Sequence, residues 1–196
     1  MDAIAAKDFK KTLRTQALAR RDALDAAWRT AVSLEMAGAA DALAIEPGTM
    51  VSAFLPIRSE IDLRPLMAAL AESGARLCLP AIIDRRIIVF REYLPGQPLV
   101  DTGFGTSGPG PEAAVVDPAV MLVPLAAFDA RGDRIGYGAG HYDRAIARLH
   151  AKKMTPRLIG VAFDCQQVET VPAEAHDVRL DEILSESGLH RFPLPL

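Results

Sequence analysis

Three alternating glycines, Gly136, Gly138 and Gly140, lie between Arg134 and the run His141, Tyr142, Asp143, Arg144. Glycine lets backbone N–H groups approach a ligand closely, and such turns at the start of a helix bind phosphate well. Arginine pairs with phosphate oxygens, and aspartate holds a hydrated divalent cation. On their own the glycines fit a tight turn with positive φ equally well. Arg134 before them and Asp143 after them turn the reading towards a nucleotide site with a metal. The turn matches neither G-x-x-x-x-G-K-[ST] nor G-x-G-x-x-G, so it is not one of the two commonest phosphate loops.

Other candidates are weaker alone. Lys10 and Arg14 stand four residues apart on a basic helical segment and share a face that can clamp a polyphosphate. An ordinary solvated face is the plainer reading of such a cluster. Glu60 follows a core strand, where open α/β sheets place ligands; the bland alternative is a surface carboxylate. Asp177 is a candidate magnesium ligand beside His176, itself more often structural. Ser52, Ser59 and Ser107 lack a G-x-S-x-G context. His141, His150, His176 and His190 lack zinc-ligand spacing.

These residues need elements to hold them. Phe9, Leu13 and Ala17, then Trp28, Val32, Met36 and Ala40, recur at helical spacing and predict two helices over about 7–43. Met50 to Leu55 reads as a buried strand. Asp62 is expected to cap a helix from about Leu63 to Ser73, stopped by Gly74. Arg76 to Leu79, Val120 to Val123 and Leu158 to Phe163 read as further strands. Val178 to Leu184 reads as a last short one. Ile82-Ile83 and Ile87 to Phe90 flank a polar turn and predict a hairpin. Leu94 to Pro118 is rich in Gly and Pro, without periodicity, and reads as a long functional or mobile loop. A helix is expected from about His141 to Lys152. Strands alternating with helices imply an α/β fold with a largely parallel sheet. No repeat or composition shift divides the chain, so one domain over 1–196 is expected.

Composition narrows the function class. The net charge is −3 and aromatics are 6%, so neither a basic nucleic-acid face nor a base-stacking platform is implied. Cys78 and Cys165 are far apart, each beside an apolar run, and read as buried reduced thiols. The N-terminus lacks a signal-type apolar core, and no stretch is long enough to span a membrane, so a cytoplasmic protein is expected.

The motif F-D-x-x-G-x-R-I-G-x-G-x-G-x-Y-D-R over Phe128–Arg144 resembles the signature of the 5-formyltetrahydrofolate cyclo-ligases, also called methenyltetrahydrofolate synthetases. Lys10 to Arg14 resembles the family's N-terminal K-x-x-L-R element. Phe54-Leu55-Pro56 with Glu60-Ile61 resembles its strand and acidic turn. Gly110-Pro111-Glu112 sits roughly at its Gly- and Pro-containing ligand loop. Gly160 to Phe163 with Gln166, then His176-Asp177, resembles its C-terminal part. Ala139 and His141 depart from the family's usual Gly or Lys and Tyr. The resemblance implies a three-layer α/β/α fold with a mainly parallel central sheet. It also implies ATP-dependent, Mg2+-requiring closure of 5-formyltetrahydrofolate to 5,10-methenyltetrahydrofolate.

By that resemblance ATP would be held by Lys10, Arg14, Arg134, Ile135, Gly136, Tyr137, Gly138, Ala139, Gly140, His141 and Tyr142. Arg134 would act on the transferring phosphoryl group. Folate would meet Leu55, Glu60, Tyr137, Gly138, Ala139, Gly140 and His141, and Asp143 and Asp177 would hold Mg2+. The partners implied are small molecules, with the protein a monomer or weak homodimer. A non-catalytic folate or nucleotide binder on the same scaffold is the alternative. A sugar-phosphate isomerase on a related fold is a more distant one, since it needs an acid/base pair rather than a triphosphate clamp.

Overall fold

The computed structural model describes residues 3–103, 105–174 and 177–193. Four helices, α1 (Ala3–Asp22), α2 (Ala26–Glu35), α3 (Arg64–Glu72) and α4 (His141–Ala151), surround a mainly parallel sheet. The sheet strands are β1 (Met50–Ser52), β2 (Arg76–Ile82), β3 (Ile88–Tyr93), β6 (Val115–Val116), β7 (Val120–Pro124), β10 (Arg157–Val161), β11 (Glu182–Ser185) and β12 (Gly188–Arg191). Two small hairpins stand apart from it: β4 (Leu99–Gly103) with β5 (Thr106–Pro109), and β8 (Ala127–Phe128) with β9 (Arg134–Ile135). Strand order is β12-β11-β10-β7-β1-β2-β3-β6. The inner strands β11, β10, β7, β1 and β2 run parallel, and the outer ones are antiparallel.

The apolar strand runs feed both faces, as a parallel sheet covered on two sides requires. Val51, Leu77, Leu79, Val120, Leu122, Ile159 and Val161 pack with α2 and α3. Their neighbours Met50, Cys78, Met121, Val123 and Leu158 pack with Ala145, Ile146 and Leu149 of α4 on the opposite face. This is the three-layer α/β/α arrangement. The helix α1 is placed by Ala17 and Leu13, which pack against Ala127, Ile135 and Val171 near the glycine turn. No helix among the described residues is long and apolar enough to cross a membrane.

Several expectations need correction. Residues 94–118 are not one irregular loop: they hold β4, β5 and β6. β4 and β5 pair only with each other and β6 with β3, and their Gly and Pro content hides alternation. The residue at the N-cap of α3 is Leu63, with no side-chain cap. Asp62 still accepts the Arg64 N–H at 3.0 Å. The strand β2 runs through Pro80, because pairing with β1 ends at Cys78 and no partner on that side needs the missing N–H. The chain end forms the hairpin β11–β12 rather than one short strand. Cys78 and Cys165 are free thiols, as expected, but only Cys78 is buried and Cys165 is half-buried.

Chain order sets the site. From β1 the chain moves to β2 on one side, whereas β7, β10 and β11 build out on the other. The carboxyl ends of β1 and β7 therefore flank a topological switch point, where such sheets open a crevice.

Candidate active site

The crevice is a cavity of about 1010 Å3. The segment after β1, including Phe54, Leu55, Pro56 and Glu60, makes one wall. The segment after β7, including Arg134, Gly136, Tyr137, Ala139, Gly140, His141, Tyr142 and Asp143, makes the opposing wall. Arg14 reaches in from α1, and Thr106 and Ser107 of β5 approach from the side.

The glycine turn is anchored from behind. Phe128 and Ala127 pair with Arg134 and Ile135. Asp129, fully buried at 0% exposure, accepts the N–H groups of Arg131 (2.9 Å) and Val171 (2.9 Å) and the Arg131 guanidinium (2.8 Å). Burial raises its carboxyl, but the Val171 N–H and the Arg131 contacts outweigh that and hold it below the usual range. Gly132 permits this corner: its φ is +88° and an added Cβ would lie 2.8 Å from the Leu180 carbonyl. Gln166 ties the end of β7 down by donating to the carbonyls of Leu125 (2.9 Å) and Ala126 (3.1 Å).

Beyond β9 the turn opens onto α4. Gly138 (φ +98°) and Gly140 (φ +64°) lie in the left-handed region, which a side chain resists. Gly140 is the N-cap of α4 and brings no side-chain oxygen. The first N–H groups of the eleven-residue helix are thus not capped by that residue where the wall meets the cavity. Arg14 steadies the turn by donating from Nε to the Gly136 carbonyl at 2.7 Å, and burial lowers its pKa. Arg144 donates to the carbonyls of Ala139 and Arg86, both at 2.7 Å, and the His141 ring meets the Arg85 carbonyl at 3.1 Å. These contacts fasten the β2–β3 hairpin tip to the turn.

Arg134 is 6% exposed, and one of its terminal nitrogens donates to Asp143 Oδ1 at 2.7 Å. Its Nε is buried and makes no hydrogen bond among the described residues. A buried donor left open costs stability unless water or a ligand takes it. The Val178 N–H also reaches Asp143 Oδ1, at 3.4 Å, which leaves Oδ2 without a partner among the described residues.

Glu60 faces Arg134's wall from the other side. Its side chain is 6% exposed. It accepts the Tyr137 hydroxyl and, at 2.9 Å, the Ile57 N–H. Burial raises its pKa, and the Tyr137 hydroxyl, the Ile57 N–H and the Arg21 charge at 3.9 Å offset only part of that.

The structure does not bring every predicted residue onto the cavity wall. Lys10 pairs with Glu174 at 2.8 Å and with Asp177 just off it. Desolvation lowers the Lys10 pKa, but hydrogen bonds and charges from Asp177 and Glu174 raise it by more. The side chain of Ile135 is buried in the core with Ala17 and Val171, so its part is to place the turn. His176 lies outside the described residues. Sequence reasoning gave no site role to three residues. Asp129 was visible as an Asx-type turn residue ahead of Arg131-Gly132. Arg21 continues the 13–17 helical stripe and is a cation at a core position; Ser59 gave no signal.

The model of the 5-formyltetrahydrofolate cyclo-ligase family matches residues 6–186 of the chain. The chain belongs to that family. A 5-formyltetrahydrofolate cyclo-ligase of Mycolicibacterium smegmatis is 34% identical over 185 residues, covering 90% of this chain and 93% of the relative. One from Escherichia coli is 34% identical over 143 residues, covering 70% and 78%. Among solved structures, the 5,10-methenyltetrahydrofolate synthetase of Aquifex aeolicus superposes with a TM-score of 0.77. The two are 26% identical, covering 95% of this chain and 94% of that one.

Proposed function

We propose that the chain closes 5-formyltetrahydrofolate to 5,10-methenyltetrahydrofolate at the expense of ATP, releasing ADP and phosphate. The observation that carries the reading is the cavity itself. A buried arginine, Arg134, and a buried carboxylate, Glu60, line one space at the upper end of the ~300–1,000 Å3 usual for small-molecule sites. One wall suits phosphate, and the other suits an N–H-bearing heterocycle.

The chemistry explains the walls. A formyl oxygen leaves poorly. Transfer of the γ-phosphoryl group to it breaks the bond to ADP and activates the carbon. N10 of the same folate then attacks, loses its proton, and phosphate departs with the former formyl oxygen. The protein positions the groups and neutralises charge. Arg134 donates to the phosphoryl oxygens, and the turn from Gly136 to Gly140 with the start of α4 supplies backbone N–H groups. Glu60 accepts hydrogen bonds from the pterin N–H edge, and Leu55 packs on its ring. Lys10 and Arg14 serve the remaining phosphates.

Magnesium suits the donors present. Asp143 has one oxygen without a partner among the described residues, and its other oxygen meets the N–H of Val178, the residue after Asp177. Among those residues no group of three or more His, Cys, Asp or Glu side chains gathers to hold a metal. Mg2+ commonly takes one or two carboxylates and completes its shell with phosphate and water. Asp143 and Asp177 would hold it, and it would neutralise phosphate charge. Asp177 now accepts from Lys10, so Lys10 is the side chain that moves over to phosphate when ATP arrives. The reading extends to one domain over 1–196, in a cytoplasmic monomer or weak homodimer.

Growth of the methenyl chromophore from 5-formyltetrahydrofolate, with purified protein, Mg2+ and ATP, tests the reading. Signal that depends on ATP is expected. No signal under those conditions would overturn it.

A further inference from the structure

Arg21 is 1% exposed, on the face of α1 turned towards the site. A buried cation costs several kcal/mol unless its surroundings compensate. Its Nε donates to Ser59 Oγ at 2.9 Å, and one terminal nitrogen donates to the Tyr137 hydroxyl at 2.5 Å. The Ser59 hydroxyl donates in turn to Asp22, and the Tyr137 hydroxyl donates to Glu60. The relay joins α1, the segment after β1 and the glycine turn.

We propose that Arg21 is a positioning residue for substrate binding: it orients the Tyr137 hydroxyl and presents Glu60 to the pterin edge. The inference rests on the folate role given to Glu60 above. Arginine can only donate, so the Tyr137 oxygen must accept from it. The Tyr137 hydrogen is then committed to Glu60 Oε1. The Ile57 N–H fixes Oε2 at 2.9 Å, and Glu60 lines the cavity with acceptor capacity left on its carboxylate. An ionised carboxylate accepts two N–H groups side by side, whereas a protonated one has spent an oxygen as a donor. Glu60 is a buried acid whose ionisation burial already opposes, and the Arg21 charge at 3.9 Å works against that.

The titratable groups around Glu60 are Arg21 and, through Ser59, Asp22 on α1, with Tyr137 in the turn and Tyr142 on α4. Burial pushes both tyrosines well above their ordinary range, so neither titrates near neutrality. His141, Asp143 and Arg14 line the same cavity and are common to wild type and variant. The displacement between the two proteins is therefore the quantity to read.

The test is Arg21→Met, with circular dichroism and Tm to establish folding. KM for 5-formyltetrahydrofolate at pH 7 is expected to rise roughly 10-fold, with KM for ATP within about 2-fold. The acid limb of kcat/KM should move up by about one pH unit, the effect of losing an opposite charge at this range. Arg21→Lys should return the limb but not the full KM, because one ammonium does not span Ser59 and Tyr137. A folded Met variant with an unmoved limb and unchanged folate KM overturns the proposal. If that variant does not fold, Tyr137→Phe breaks the relay with Arg21 in place, and an unmoved limb there is equally fatal. Calorimetric titration with 5-formyltetrahydrofolate at pH 6, 7 and 8 separates this from the activity reading. Wild type that binds folate without turnover sinks only the activity, and the Met variant should still bind more weakly. Wild type that does not bind folate sinks both.

Discussion

The two sides of the cavity hold their charges differently. On the proposed phosphate side the pairs are exchangeable: Lys10 sits on Glu174 and Asp177, and Arg134 on one oxygen of Asp143 with its Nε open. On the proposed folate side the charges are closed on one another through Arg21, Ser59, Tyr137 and Glu60. A polyanion that brings its own metal can displace carboxylates from cations. A neutral heterocycle recognised by a few hydrogen bonds gains most from acceptors already fixed in place. One side is set up for charge exchange and the other for shape and hydrogen-bond direction.

The sharpest way to break this contrast is Arg134→Ala. Loss of charge stabilisation at the transferring phosphoryl group should lower kcat roughly 10³-fold. KM for folate should stay within about 3-fold, since the far wall is untouched. Steady-state kinetics with each substrate varied in turn checks this, and near-wild-type kcat would remove Arg134 from the chemistry.

Lys10→Met should act more gently, raising KM for ATP about 10-fold while KM for folate holds. The Lys10 pKa is raised above its ordinary value. Its contribution to stability is thus fully present below the ordinary lysine range and is lost as pH rises through the folded value. The Tm gap between wild type and Lys10→Met should be flat around neutrality and close only in strong alkali. A gap that closed between pH 6 and 8 would mean another group controls it.

Gly138→Ala probes the turn that carries Tyr137 and its bond to Glu60 on the far wall. Space is not the obstacle, since the Arg14 guanidinium lies 3.7 Å from where the Cβ would stand. The obstacle is the φ of +98°, which a side chain resists, at a cost of about 1–3 kcal/mol. Tm should fall by roughly 2–10 °C, with KM for both substrates rising a few-fold, because both walls lean on the turn. An effect on one substrate alone would argue that the sides are uncoupled.

Much of this was legible beforehand, for reasons specific to each element. The apolar runs at Val120–Val123 and Leu158–Phe163 announce buried parallel strands, since both faces are covered and no alternation is needed. The strand–glycine–helix order announces the turn. Residues 94–118 were illegible because β4, β5 and β6 are short and their Gly and Pro residues break the alternation that marks a strand. The folded chain also pairs Lys10 with Asp177, 167 residues away, and spacing along the sequence says nothing of such pairs.

The sequence by itself determined the residue types, the order of strands, glycine turn and helices along the chain, and glycines at positions where a turn with positive φ could form. Those are local properties, written in propensity and periodicity. The tertiary structure alone decided which charges meet. It buried Arg21 against Tyr137 and Ser59, set Glu60 opposite Arg134, and placed both beyond the carboxyl ends of β1 and β7. Long-range packing brings those groups together, and burial then sets how strongly they interact.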